Sequence, residues 1–308
     1  MHCTSHFFSY NERMNEKLIG ILASGGLILT SAIWGFAFVV VKDSVDTIPP
    51  VYMVSIRYTI AAVLLGFVLI PQFKKLNRYY WIHGAVTGLM LALGYITQTI
   101  GCKYTTAGKN AFLTTIYVIL IPLISWPLNK KRPHFVVFLS AVMALVGIGL
   151  LALRNEGGVL GFNVGDILTL ICGLFYALHI IFTAKFSQDK NPVILTWIQF
   201  IVAAVFSWAV SPLIDGSFSV ALLKSSRVIF SMLYLGIFSS LVAFLLQNIC
   251  LKYMESSLAS LFLSLESVFG VVFSTIFLRE RMTLVMIIGC VLIFAAITIA
   301  DQFHAKKQ

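Results

Sequence analysis

Ten apolar runs, each about twenty residues long, follow one another from Leu18 to Ala300 with short polar connections between them. A run of that length crosses the hydrocarbon core of a bilayer as a helix. Inside lipid the backbone must satisfy its own hydrogen bonds, which makes helices the default. The runs are too long, and alternate too little, for an outer-membrane barrel. The sequence therefore predicts an all-α membrane protein of ten transmembrane helices: Leu18–Val41, Pro50–Ile70, Trp81–Gly101, Asn110–Leu128, Phe135–Leu153, Val164–Phe182, Val193–Ile214, Val228–Ile249, Ser256–Leu278 and Thr283–Ala300. Composition agrees, with 59% hydrophobic and 11% charged residues, against about 25% charged in an ordinary soluble domain. No connection is long enough to hide a soluble domain, and only Ile214–Arg227 has room for a small amphipathic piece.

The net charge of +10 is not a nucleic-acid signal, because the basic residues stand singly or in short clusters between apolar runs. They orient the chain instead. With the N-terminus inside, the inner segments carry 13 Lys and Arg and the outer segments 8. The excess of basic residues on the inner side places both termini in the cytoplasm of a multi-pass protein of the plasma membrane. Residues 1–17 have no continuous apolar core and do not read as a signal peptide. Met14 would serve equally well as a start, and 1–17 is expected to be a disordered extension. Residues 301–308 are expected to form a cytoplasmic tail.

Two stretches look like copies of each other. Gly94–Arg132 aligns with Ala243–Arg281 at a constant shift of 149, without a gap. Gln98 meets Gln247, Ile100 meets Ile249, Lys103–Tyr104 meets Lys252–Tyr253, Ser125 meets Ser274 and Arg132 meets Arg281. A weaker echo joins Ile28-Leu29-Thr30 in the first span to Ile167-Leu168-Thr169 in the sixth. Each half, 18–153 and 164–300, then holds five spans. An odd number makes the second half enter from the opposite side, so the halves are inverted repeats. Secondary transporters are commonly built this way, with a site near mid-membrane at the repeat interface.

At these residues the chain resembles the drug/metabolite transporter superfamily, specifically its EamA-type ten-span group. The landmarks are WGFAF at Trp34–Phe38, SIRYTIAAVLL at Ser55–Leu65, KYTTAGKNAFL at Lys103–Leu113 followed by Pro122, and SLASLFLSLESVFGVVFSTIFLRERMT at Ser257–Thr283 followed by IGCVLIFAAI at Ile288–Ile297. The family pattern has a proline after the glutamate of the ninth span, where this chain has Ser267. The resemblance implies ten helices and cytoplasmic termini. It also implies a cavity lined mainly by spans one, three, four, six, eight and nine, and alternating-access movement of small polar or amphipathic metabolites, often outward.

Charged groups inside a bilayer are costly and are usually paired or functional. Two stand well inside spans here, Arg57 and Glu266. Counting residues from the span ends puts Arg57 ~10 Å below the outer face and Glu266 ~15 Å above the inner one, a gap a long arginine can bridge. Two readings follow. A pair would fix helix packing, whereas a cavity-facing Glu266 could carry a proton and couple transport to a proton gradient. Ser256, Ser260, Ser264 and Ser267 form a small polar stripe, suited either to close packing or to a hydrogen-bonding wall. Gln98, with Tyr95 a turn below, and Gln247, with Asn248, lie near opposite faces and suit two related gates. Tyr176, His179 and Thr183 share a face of span six, Trp34 sits at the Gly35 notch, and Tyr117 is the repeat counterpart of Glu266. Pro122 and Pro127 are expected to break span four, since each removes a helix hydrogen bond. Gly147, Gly149, Ser140 and Ala144 give span five a small-residue surface for span ten or a second protomer, which leaves room for a homodimer.

The five cysteines show no C-x-x-C pair and no metal spacing, and no P-loop, H-E-x-x-H or G-x-S-x-G is present. No catalytic residue, metal or cofactor is therefore assigned. The candidates for a substrate cavity are Trp34, Arg57, Tyr95, Gln98, Asn110, Tyr117, Tyr176, His179, Gln247, Asn248, Ser260, Ser264 and Glu266. The leading reading is a secondary transporter of a small metabolite, amino acid or amphiphilic compound. An intramembrane enzyme and a non-transporting scaffold or receptor are the alternatives.

Overall fold

The computed structural model describes the backbone of residues 3–105, 107–130, 132–152, 163–219, 221, 225–277 and 283–305, and within these ranges the side chains from Leu18 onward except at positions 108, 109, 112, 129, 151, 152, 274, 304 and 305. Its described residues are helical and contain no strand. In chain order the helices are α1 (Cys3–Ser44), α2 (Pro50–Leu69, continued by the 3₁₀ turn Ile70–Lys75), α3 (Arg78–Tyr104), α4 (Ala107–Thr114), α5 (Tyr117–Asn129), α6 (Phe135–Ala152) and α7 (Val164–Ser187). They continue as α8 (Pro192–Ile214), α9 (Ser226–Leu233), a π-helical segment Tyr234–Val242, α10 (Ala243–Cys250), α11 (Ser256–Leu263), α12 (Leu265–Phe277) and α13 (Leu284–Ala305).

Among the described residues, 8 helices are long and apolar enough to cross a membrane. Two shorter apolar helices, Tyr117–Leu128 and Phe135–Leu150, stand where the fourth and fifth spans were expected. The fourth is shortened because its helix breaks at Thr115–Ile116; α4 and α5 together are still long enough to cross, ~35 Å at 1.5 Å per residue. The backbone is helical from Cys3, through a stretch with no proline or glycine to stop it. At the other end α13 runs on to Ala305, into the expected tail. The Ile214–Arg227 connection, the join between the halves at 153–162 and the basic stop at Arg281 lie partly or wholly outside the described residues.

The helix starts follow local chemistry. The Asn77 side chain accepts from the Tyr79 and Tyr80 N–H groups to begin α3. Asn163 and Asp166 form a reciprocal capping box at α7. Asn191 precedes Pro192 at the first position of α8. The start of α2 has no cap of its own, and Asp215, just past the end of α8, supplies one: its Oδ2 accepts the Val51 and Tyr52 N–H groups at 2.7 and 3.1 Å. The opposite end of the same helix pair is tied by Asn191 Nδ2 donating to Gln72 Oε1 at 3.1 Å.

The three-dimensional contacts repeat as the sequence does. A Cβ on Gly26 would come 2.7 Å from Cys250 Sγ, and one on Gly165 would come 2.7 Å from the Gly101 carbonyl. Gly165 is Gly26 shifted by 139 residues and Cys250 is Gly101 shifted by 149, so the span one–span eight contact is the repeat image of the span six–span three contact. The packing of α2 against α8 brings out a further match. Pro50–Val63, PVYMVSIRYTIAAV, aligns with Pro192–Val205, PVILTWIQFIVAAV, and sets Arg57 opposite Gln199. The small surface of span five is taken by span ten, since a Cβ on Gly147 would meet the Gly289 carbonyl at 2.7 Å.

Both central broken helices break at repeat-equivalent places. In span four the ladder tightens to Val118 N–H donating to the Thr115 carbonyl at 3.0 Å. In span nine Ser267 N–H donates to the Ser264 carbonyl at 3.2 Å. These are one bond displaced by 149 residues. The expected break at Pro122 and Pro127 is corrected accordingly: both prolines lie inside α5, downstream of the break. In span nine the break persists although Ser267 replaces the family's proline, because the serine N–H bonds three residues back rather than four. Ser31 on α1 lies against this second break: its one hydroxyl proton is shared between the Leu27 carbonyl of its own helix at 2.9 Å and the Phe262 and Leu263 carbonyls at 3.0 and 3.3 Å. The breaks also touch, with Thr115 Oγ1 3.1 Å from Ser267 Oγ.

The Asp215 cap yields a test. Burial pushes its carboxyl up from the ordinary range, against the two N–H groups and Lys103, which pull it down. Asp215→Ala should destabilise the detergent-solubilised protein by about 1 kcal/mol, as for a lost cap, while Asp215→Asn should keep most of the melting temperature. With the folded-state value above the unfolded one, the wild type should lose stability slightly as pH rises through the window just above ~4. The asparagine variant should lack that slope.

Candidate functional site

Between the halves lies a cavity lined by groups from α1, α2, α3, α4, α5, α7, the π-helical segment, α10 and α12. It holds ten of the sequence candidates: Trp34, Arg57, Tyr95, Gln98, Asn110, Tyr117, Tyr176, His179, Gln247 and Glu266. Span two, through Arg57, joins the spans that the family resemblance named. The cavity measures about 40 Å³.

Arg57 and Glu266 do not pair. Arg57 is 2% exposed, and its Nε and Nη2 donate to Ser240 Oγ and Ser239 Oγ, both at 2.8 Å. Its guanidinium lies 4.4 Å from the centre of the Tyr95 ring, a cation–π geometry. The two serines reach it from the π-helical segment, whose wider turn is a feature often found at functional sites. The same turn presents the Ser239 carbonyl to Trp34 Nε1 at 2.9 Å, which fixes the indole at the cavity wall. Glu266 stands in the first turn of α12, 4% exposed, where its Oε1 accepts Tyr117 Oη–H at 3.0 Å. Tyr117 begins α5 at the repeat-equivalent position, so this hydrogen bond joins the two symmetry-related half-helix starts.

Two polar layers flank the cavity, and α7 runs from one to the other. At the first, Gln98 Oε1 accepts from Tyr176 Oη at 3.1 Å, and Gln98 Nε2 donates to Thr114 Oγ1 at 3.3 Å. Asn110 Nδ2 donates to Thr169 Oγ1 at 2.8 Å and to the Gln98 carbonyl at 3.2 Å. Beyond it Lys42 Nζ donates to the Cys102 and Thr105 carbonyls at the end of α3, each at 3.0 Å; a cation there also complements the helix dipole. At the second layer Gln199 is the hub. It donates to Thr87 and Thr183 hydroxyls at 3.0 and 3.2 Å and accepts from Asn248 Nδ2 at 2.8 Å. Asn248 also donates to Thr196 and accepts from Gln247 Nε2. From Thr169 to Thr183 along α7 the layers are ~21 Å apart.

Three candidates fall outside the cavity. Asn248 is fully buried behind Gln247 in the second layer. Ser260 and Ser264 turn their hydroxyls back onto the Ser257 and Leu261 carbonyls at 2.8 and 2.6 Å, and so form no wall for a ligand. Conversely Ser239, Phe244, Phe38 and Cys102 line the cavity without having been singled out. Gln199, Ser240 and Thr115 hold the lining in place from behind. The Ser239-Ser240 doublet and the lone Gln199, each inside an apolar run, were the available signals. Two buried cavity atoms among the described residues, Asn110 Oδ1 and His179 Nδ1, have no hydrogen-bond partner.

A model of the EamA-like transporter family matches residues 19–153 and again 163–300. The chain belongs to the EamA-like transporter family. Its two EamA matches fall on the two halves that the contacts relate by symmetry. Among curated proteins it is similar to an uncharacterised transporter of Archaeoglobus fulgidus, 34% identical over 93% of this chain and 88% of that protein. It is also similar to the uncharacterised transporter YvbV of Bacillus subtilis, 24% identical over 89% of this chain and 90% of that one. A solved crystal structure superposes with a TM-score of 0.74 at 18% identity, over 96% of this chain and 99% of that one, and so has the same fold. As an EamA protein with these apolar helices, the chain is a multi-pass membrane protein of a transporter family.

The second layer can be tested through its hub. Gln199→Leu removes four partnerships at once and leaves Asn248, His179 and two threonines short of a partner. It should cost about 1–3 kcal/mol, read as a lower melting temperature in detergent. Trp208→Phe, which removes an exposed bond to Thr59, should change it far less.

Proposed function

We propose that this EamA protein is a secondary transporter that moves a small metabolite, amino acid or amphiphilic compound across the cytoplasmic membrane by alternating access. The observation that carries the reading is the cavity at the interface of two inverted repeats, lined by both aromatic and polar groups and flanked by a polar hydrogen-bonded layer toward each end. Rocking of one half against the other would open one layer while the other stays shut. The matched breaks at Thr115 and Ser264 give spans four and nine the joints for that movement. Gln98 and Gln247, repeat counterparts in opposite layers, are the gate residues. The family resemblance supports outward transport, with both termini in the cytoplasm.

Glu266 is the proton carrier in this scheme. It is an acid near the middle of the assembly with one donor, Tyr117, and no basic partner among the described residues. When the cavity widens to either side, water reaches the carboxyl and a proton can pass. Glu266→Gln keeps the size and can still accept from Tyr117, so it should fold. In proteoliposomes with an imposed pH gradient, we expect this variant to lose gradient-driven transport while substrate exchange persists. Gradient-driven transport at the wild-type level would exclude Glu266 as the carrier. Flux of an unmodified solute across a sealed bilayer also separates a transporter from an intramembrane enzyme or a scaffold.

A further inference from the structure

The proposed function leaves open what the cavity recognises, and Arg57 bears directly on that question. Its guanidinium is buried, and each protein group it touches among the described residues is neutral: the Ser239 and Ser240 hydroxyls and the Tyr58 and Tyr95 rings. Arginine is charged at any physiological pH, and an unpaired charge at membrane depth is costly. Such a group is retained where an anion completes it. The neutral partners also orient it. Ser240 takes the Nε proton and Ser239 one proton of Nη2, leaving the Nη1 protons and the other Nη2 proton untaken. One free proton on each terminal nitrogen makes the forked edge that matches the two oxygens of a planar carboxylate.

Resting on the transporter reading, we propose that the substrate carries a carboxylate that binds this free edge of Arg57, and that Ser239 and Ser240 are positioning residues that aim it. One cation neutralises one negative charge, so a monocarboxylate fits better than a phosphate dianion. Trp34, Phe38, Tyr95, Tyr176 and Phe244 around the same cavity supply the apolar surface for the body of the molecule. The repeat explains why there is one such position. The counterpart of Arg57 is Gln199, which is neutral and fully engaged in the second layer. Two carboxylate classes remain open, a plain organic acid and an amino acid whose ammonium would meet Glu266 or the unpartnered Asn110 Oδ1.

The test is thermal stabilisation of the detergent-purified full chain by a matched panel. It comprises the twenty common amino acids, their amides, their decarboxylated amines, straight-chain and aromatic monocarboxylates, and inorganic phosphate. We expect the stabilising compounds to be carboxylates, with the corresponding amides and amines inactive and phosphate without effect. Amino acids alone among them would assign the ammonium subsite as well; plain acids acting equally would leave the carboxylate as the whole determinant. Arg57→Gln should abolish the shift. Ser239→Ala and Ser240→Ala, each preserving the guanidinium, should weaken binding about tenfold while threonine at either position restores it; these variants also decide the matter if Arg57→Gln does not fold. Stabilisation by amides or amines, by phosphate above carboxylates, or by no carboxylate at all would overturn the proposal. So would an unchanged carboxylate shift in both serine variants. Transport of a non-carboxylate solute in proteoliposomes would do so while leaving the transporter reading intact, whereas absence of transport for every solute would remove the reading itself.

Discussion

Lipid offers no hydrogen bonds, so a helix can be interrupted inside a membrane only where protein groups take up what the interruption frees. That constraint organises the centre of this protein. Spans four and nine break at Thr115–Ile116 and at Ser264, and at the second break Ser31 shares its hydroxyl proton among the Phe262 and Leu263 carbonyls and the Leu27 carbonyl of its own helix. The breaks meet each other through Thr115 and Ser267. Two residues past Thr115 and Ser264, Tyr117 and Glu266 join the starts of the two downstream half-helices. The cavity lies where it does because this is the place at which two inverted halves bring their broken helices together.

On this symmetric frame the chemistry is unequal. Span two of the first half carries Arg57 where the second half has Gln199. Span nine of the second half carries Glu266 where the first has Tyr117. Each half thus contributes one charge, and each charge faces a neutral counterpart on the other side of the symmetry. The neutral members hold the fold: Gln199 ties four helices together, and Tyr117 holds the Glu266 carboxyl in place. A duplicated frame with diverged charges gives a site with distinct cationic and acidic positions, while both ends keep gates of similar construction.

Much of this was legible in the chain itself. The spans follow from length and hydropathy, and the inverted halves from the shift of 149 residues together with five spans per half. Arg57 and Glu266 stood out because a charge in an apolar run is expensive and has to be explained. A neutral polar residue in an apolar run is a weaker signal: the repeat alignment points to Gln98 and Gln247, but nothing comparable points to Gln199, Ser239 or Ser240. For Ser260 and Ser264, spacing shows only that they share a helix face and leaves packing and a ligand wall open; that each hydroxyl bonds its own backbone is visible only in the structure. The break in span four was assigned to its prolines, the usual cause; its actual position is visible only when span nine lies beside it. Depth arithmetic allowed Arg57 to reach Glu266, and could not foresee that a π-helical turn would bring two serines closer.

The central claim is that the two touching breaks must separate or slide for the cavity to open. It is tested most directly by fastening them together. With Thr115 and Ser267 both replaced by cysteine, at a site where the native hydroxyl oxygens are 3.1 Å apart, oxidation should form a disulfide in the purified protein. Solute flux in proteoliposomes should then fall to the level of empty vesicles and recover on reduction. Flux that continues at the reduced rate with the disulfide fully formed would contradict the account, because the breaks would then take no part in the movement.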